Sequence, residues 1–269
     1  MRIIFLYWCS LERKDGKDNY GDLLSKYIVK KISKSIVFKV KYPSSRFYNF
    51  WIKNYSVIGS IITSASRNTI VWGSGIIKKN ENIRNAKFLA VRGPYTRKRI
   101  MELNYECPEV YGDPAILLPF FFDKKTKKKF EVGIIPHYVD FDEVNEFYKN
   151  DSRIKVIDLL TNDVEATTLE ILECEQIISS SLHGIIVSQA YEIPAIWVKF
   201  SDKLSGDNIK FYDYFESLGI QYKNEFVYNV NDLDYVEIKK LLMSEKEILL
   251  PEKEVVSLRR KELLDSCPF

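Results

Sequence analysis

Gln176-Ile177-Ile178-Ser179-Ser180-Ser181-Leu182-His183-Gly184-Ile185-Ile186-Val187-Ser188-Gln189-Ala190 sets an apolar run against a small-residue run, with three serines and a histidine at the junction. The isoleucines read as the end of a buried parallel strand, and the residues from Gly184 onward as a helix packed closely behind it. The junction is therefore a helix N-terminus, where unpaired backbone N–H groups and the positive end of the helix dipole favour an anion. His183, one of only two histidines, adds a group that gains or loses a proton near neutral pH. A serine cap with a histidine tucked against a neighbouring strand reads the same letters equally well.

Outward from this junction, apolar strand-like runs alternate with helix-like segments, the pattern of parallel α/β sheets. Strands are predicted over residues 3–8, 36–40, 69–72 and 88–91, with helices over 22–32 and from Pro94, a residue favoured in a first helical turn. Pro119-Phe120-Phe121-Phe122-Asp123-Lys124-Lys125-Thr126-Lys127-Lys128-Lys129 breaks the pattern with a proline and a lysine run, and a second series starts at Val132. It reads as a linker between a Rossmann-like half over 1–120 and another over 131–250, followed by a C-terminal helix over 251–269. In the second half strands are predicted over 154–157, 176–179 and 195–200, and helices over 164–174, 209–218 and 233–243.

The composition narrows the function. With 269 residues, 46% of them hydrophobic, the chain suits two compact halves. A net charge of +3 from 40 basic and 37 acidic residues argues against a dedicated nucleic-acid binder. Cys9, Cys107, Cys174 and Cys267 form no C-x-x-C pair, so no structural zinc site, metal or cofactor is expected. The N-terminal run reads as a first strand and no apolar run reaches the ~18 residues of a membrane span, which together fit a cytoplasmic protein.

Open parallel sheets bind ligands beyond the C-terminal ends of their strands, and several candidates fall there. Gly73-Ser74-Gly75 follows a predicted strand and either lets a ligand approach the backbone or makes a plain turn. Arg92 follows another strand and opens a helix, a place for a carboxylate or phosphate fork. Asp22 is either a base across the cleft or the N-cap of a helix from Leu23. Asp113, ahead of Pro114, reads as a turn residue. His137 ends a strand of the second half, as a ligand contact or as a satisfied loop histidine.

Together these pieces resemble the polysaccharide pyruvyl transferase family. Asn19-Tyr20-Gly21-Asp22 is similar to its N-x-G-D motif, Trp72-Gly73-Ser74-Gly75-Ile76 to its glycine turn, and Val91-Arg92-Gly93-Pro94-Tyr95-Thr96 and Tyr111-Gly112-Asp113-Pro114-Ala115 to two further segments in order. Ser180-Ser181-Leu182-His183-Gly184-Ile185 with Ile193-Pro194-Ala195 is similar to its strand, Leu-His, helix and x-Pro signature. Order and spacing over about residues 19–198 carry the resemblance.

The resemblance implies a GT-B-like fold of two Rossmann-type domains facing a cleft. It implies transfer of the enolpyruvyl group of phosphoenolpyruvate to a sugar of a capsular, exo- or cell-wall polysaccharide, or its lipid-linked precursor, as a pyruvate ketal. On this reading His183 is the general acid and Asp22 the base, while Arg92, Ser180, Ser181 and Leu182 hold the donor. Asn19, Gly73, Ser74, Gly75 and His137 complete the substrate contacts. Many members have arginine where this chain has Ser181, so another cation such as Arg92 or Arg97, Ser181 with backbone N–H groups, or a changed donor must account for that charge. A nucleotide-sugar glycosyltransferase and a non-catalytic glycan- or nucleotide-binding relative are the alternatives. The aromatic and basic residues of 42–55, with the lysine run of 124–129, raise a peripheral contact with the inner membrane face.

Overall fold

The computed structural model describes residues 2–45 and 51–269. Strand β1 (Ile3–Tyr7) buries Ile4 and Leu6 on one face, and the apolar stripe of helix α1 (Tyr20–Ser33), with Leu24, Ile28 and Val29 at its centre, lies in the same core. A two-residue strand, β2 (Asp18–Asn19), leads into α1, and β3 (Ile36–Lys39), β4 (Asn54–Ser56), β5 (Thr69–Trp72), β6 (Lys87–Ala90) and helix α2 (Pro94–Glu102) follow. The second series is β7 (Phe130–Ile135), α3 (Phe141–Tyr148), β8 (Ile154–Val156), β9 (Leu160–Thr161), α4 (Val164–Leu172), β10 (Cys174–Ser179), α5 (Leu182–Ala190), β11 (Ala195–Lys199), α6 (Ile209–Ser217), β12 (Phe226–Val227), α7 (Tyr235–Ser244) and α8 (Lys253–Asp265).

Two five-stranded sheets result, β3-β1-β4-β5-β6 and β12-β11-β10-β7-β8, with every neighbouring pair parallel. Counted within its own half, each sheet runs second, first, third, fourth, fifth. Each therefore has one point where its strand order reverses, between β1 and β4 in the first sheet and between β7 and β10 in the second, and such points open a crevice at the strands' C-terminal ends.

The predicted strands and helices stand within a few residues of their expected ends. The sequence reading missed β4 and β12, which are short, helix α3, and the antiparallel pair of β2 with β9, which joins the two halves. The residues that lead into the predicted linker belong to the core. Residues Pro114–Phe120 form a 3₁₀ segment whose Ala115, Ile116, Leu117 and Leu118 are buried between α1 and α5, so one apolar core runs from Ile4 and Leu6 through this segment to Ile135 and Trp197. Within the lysine run, Lys128 donates to the carbonyls of Leu172 and Cys174, and Lys129 pairs with Glu173. The aromatic segment of 42–55 lies partly outside the described residues; of the rest, Tyr42 and Trp51 are exposed and Tyr55 is buried in β4. Among the described residues no helix is long and apolar enough to cross a membrane.

Helix α6 ties the second half to the first. Arg92, wholly buried after β6, donates Nε–H to Asp213 of α6 at 3.2 Å, and Asp213 also accepts from the Thr96 backbone N–H at 2.9 Å and the Thr96 hydroxyl at 2.6 Å. The close approach needs Gly93, since a Cβ there would lie 1.8 Å from the Asp213 carbonyl oxygen. At the end of the chain, α8 returns to the first sheet, where Trp72 donates to the Leu263 carbonyl at 2.9 Å and Phe269 packs on Tyr55 and Trp72.

Removing one member of a buried ion pair strands the other's charge, at a cost of about 3–5 kcal/mol. Asp213→Ala is therefore expected to lose about that much stability in urea denaturation, and a loss below about 1 kcal/mol would show that α6 is held by other contacts.

Candidate active site

The two reversal points face one another. Asp22 stands in the first turn of α1, near Gly59 beyond β4, and His183 in the first turn of α5 beyond β10. Their approach is direct. A Cβ at Gly21 would lie 2.0 Å from Nδ1 of His183, so the backbone of α1 rests on the imidazole at a distance only glycine allows. On the other side of the ring Nε2 lies 3.6 Å from Oδ2 of Asp113, whose side chain has no exposure, while the His183 side chain retains 13%.

Burial decides the electrostatics. It pushes the Asp22 carboxyl up to about 7, with Asp18 adding to the shift and His183, Lys39 and Lys210 opposing it. It holds Lys210, on the first turn of α6, down at about 8, aided by the Arg92 charge and opposed by Asp22. His137 is lowered to about 4 by burial and then by Lys210, so this histidine is neutral at physiological pH. Lys210 is half-buried and has no carboxylate within ion-pair distance among the described residues. Asp22, Lys210, His137 and Arg92 thus share one electrostatic neighbourhood, and His183 belongs to it through Asp22.

Several residues read from sequence as ligand contacts are committed to the protein itself. Besides Asp213, Arg92 donates to the Ser60 hydroxyl at 2.7 Å and the Ile76 carbonyl at 2.5 Å. With no exposure and three N–H groups engaged, it is a structural fork, and its charge reaches the site only as a field. Gly73 makes room for Pro114, whose Cδ would sit 2.1 Å from a Cβ, and Gly75 makes room for the Arg92 guanidinium. The Ser74 hydroxyl, fully buried, bonds the Gly59 carbonyl at 2.8 Å. Asn19 is the cap of α1, accepting the Gly21 N–H at 2.9 Å, which corrects the alternative in which Asp22 did so. Leu182 packs in the apolar core.

The serines divide the work. Ser179 receives the Ser181 N–H at 3.0 Å, and Ser180 receives the His137 N–H at 2.8 Å, which stitches the ends of β7 and β10 together. Ser181 occupies the N-cap of α5 without a side-chain bond to the helix, so the first-turn N–H groups beside His183 lack a serine cap.

Lys210 and the Asp113–His183 approach were missed from sequence. A lysine in the first turn of a helix opposes the dipole, and that was the one local sign that its position is set by something else. Nothing in the sequence joins Asp113 to His183, because the contact depends on how the two halves dock. Two concavities of the described surface, one beside Arg67, Lys87 and Pro108 and one beside Leu218, Phe226 and Pro251, lie away from this cluster.

The polysaccharide pyruvyl transferase family model matches residues 19–202, a span that holds Asp22, Arg92, Asp113, His137 and His183 and ends before Lys210. A protein of Acanthamoeba polyphaga mimivirus, named as uncharacterized, is 33% identical over 260 residues, covering 90% of this chain and 89% of its own.

Two outcomes are expected. Gly21→Ala forces a methyl group into the His183 ring and should destabilise by about 1–3 kcal/mol although alanine favours helix; unchanged stability in chemical denaturation would refute the close approach. Asp22, ordinarily near 3.8 and about 7 when folded, binds its proton more tightly in the folded chain. Its favourable contribution is complete below about 4 and is lost as pH rises through about 7. Asp22→Asn should therefore gain on the parent between pH 5.5 and pH 8, by on the order of 2 kcal/mol at the upper end, and a constant difference across that range would contradict the shift.

Proposed function

The chain belongs to the polysaccharide pyruvyl transferase family, and we propose that it moves the three-carbon skeleton of phosphoenolpyruvate onto two hydroxyls of a glycan sugar, giving a pyruvate ketal and phosphate. The single observation that carries this reading is the gathering of Asp22, Lys210 and His183 at the facing reversal points of the two sheets. The two halves act as Rossmann-type domains in a GT-B-like arrangement, 1–120 on the acceptor side and 131–250 on the donor side. The repeated strand order and the return of α8 to the first sheet support that arrangement.

Each step has a residue suited to it. The donor brings a phosphate and a carboxylate, and Lys210 with the uncapped N–H groups at the start of α5 offers positive potential where the family arginine is replaced by Ser181. No metal is required for that charge. His183, as imidazolium, gives a proton to the methylene carbon, which becomes the methyl group, while C2 accepts the first sugar hydroxyl and Asp22 takes that hydroxyl's proton. The C2–O bond to phosphate then breaks, the second hydroxyl closes the ketal, and its proton leaves with phosphate. Asp22 hands its proton back to His183, and the residues return to their starting states. Burial that raises a carboxyl and lowers a lysine is the tuning such a pair needs at neutral pH. The acceptor is a sugar of a polysaccharide or of its lipid-linked precursor, reached from the cytoplasm.

Two limbs of the pH dependence follow from the two shifts, beside the requirement that His183 carry its proton. Asp22 must be ionised, so kcat/KM rises through about 7, and Lys210 must be charged, so it falls above about 8. Bound donor holds the Lys210 proton, which moves the alkaline limb of kcat upward. Phosphate release from phosphoenolpyruvate, measured over a panel of p-nitrophenyl glycosides, should require a sugar acceptor. His183→Ala should lower kcat about 100-fold or more, while Lys210→Ala should raise KM for phosphoenolpyruvate about 10-fold or more with a smaller change in kcat. Acceptor-independent release, or a Lys210→Ala variant with unchanged KM, would sink this assignment.

A further inference from the structure

Among the described residues, two buried polar atoms that lack a hydrogen-bond partner face each other, Oδ2 of Asp113 and Nε2 of His183, at 3.6 Å. Left unmade, such a contact leaves both enclosed groups without water or a partner, and a movement of about half an ångström brings it to bonding length. The rest of the Asp113 carboxyl is fixed, because Oδ1 accepts the Ala115 N–H at 3.0 Å and caps the 3₁₀ segment that carries the core between the halves. Nδ1 of His183 is on the opposite side of the ring, against Gly21 and one residue from Asp22.

We propose that Asp113 is a positioning residue that accepts the Nε2–H of His183, so that the neutral imidazole is held as the Nε2–H tautomer and Nδ1 is the nitrogen that exchanges a proton with substrate. An ionised carboxylate only accepts, which fixes the direction of the bond, and Nε2 is too enclosed to meet a ligand. When His183 is protonated, the same carboxylate stabilises the imidazolium from behind. The charged groups that act on the ring are then Asp113, at Nε2, and Asp22, which in turn interacts with Lys210. The proposal rests on the reading of His183 as the proton donor, and it adds that the tautomer is imposed by the other half of the molecule.

The chain has two histidines, which makes the test direct. Long-range proton–nitrogen spectra of protein labelled with ¹⁵N-histidine, recorded where both rings are neutral, report each tautomer, and His137→Gln identifies the His183 signals. The parent protein should show His183 with the proton on Nε2. In Asp113→Asn the amide oxygen keeps the bond from Ala115 N–H, the amide NH₂ turns to Nε2, and the tautomer should invert to Nδ1–H. Phosphate release by that variant should fall about 10²- to 10⁴-fold in kcat with KM for phosphoenolpyruvate within about threefold. A parent carrying the proton on Nδ1, or populating both tautomers equally, overturns the proposal even if Asp113→Asn fails to fold. So does an Asp113→Asn spectrum unchanged from the parent. A parent with the wrong tautomer whose His183→Ala variant is still inactive leaves the pyruvyl-transfer reading standing, whereas an inverted tautomer with unchanged kcat removes His183 as proton donor and the positioning role with it.

Discussion

The rest of the structure depends on the absence of a methyl group at Gly21. Without a Cβ the first turn of α1 comes down onto the His183 ring, and the two halves approach closely enough for Ala115 to Leu118 to be enclosed between α1 and α5. That enclosure places Asp113, at the head of the same segment, on the far side of the ring. Steric permission at one backbone position therefore sets the depth of the seam, the burial of Asp22 and the partner of Nε2. A seam one methyl group wider would admit water, and the shifts of Asp22 and Lys210 would shrink with it, because both begin with burial.

The electrostatic arrangement also has a cost in stability that helps explain the buried fork at Arg92. A half-buried lysine near a second cation destabilises the empty site, and an anion entering it recovers that energy on binding. Lys210 and Asp213 are three residues apart on α6, on one face of the helix. Arg92 holds Asp213, and Asp213 holds the turn of α6 that carries Lys210. The arginine read as a donor contact thus acts one step away, fixing the helix whose lysine is proposed to meet the donor.

Much of the fold was legible because parallel strands buried on both faces leave unmistakable apolar runs. β5 is Thr-Ile-Val-Trp and β11 is Ala-Ile-Trp-Val-Lys, bounded by turn residues. β4 was not legible, being three residues long with a polar residue at each end, and β2 with β9 exists only because the halves dock. The sequence reading placed His137 and His183 just beyond strand ends, where the structure has them. It read the glycine turn as a ligand contact, where Gly73 and Gly75 provide room for Pro114 and Arg92; it read Asp113 correctly as a turn residue, and it did not foresee the approach of Asp113 to His183 or the place of Lys210. The division has a physical reason: periodicity reports which residues face a core within one element, while a site across a seam is made of pairs drawn from different elements.

The serine at 181 shows what such a seam permits. An arginine at the N-cap of α5 would bring its own charge to the donor from within the helix that presents His183. With serine there, the N–H groups of the first turn carry no side-chain cap, and the cation proposed to stand in is Lys210 of α6. Lys210 lies outside the span matched by the family model, so its position is secured by the Arg92–Asp213 fork inside the span and the packing of α6 on α2. In the proposed reading the cation is supplied by α6, while Asp22 and His183, the proposed proton-transfer groups, stand in the first turns of α1 and α5.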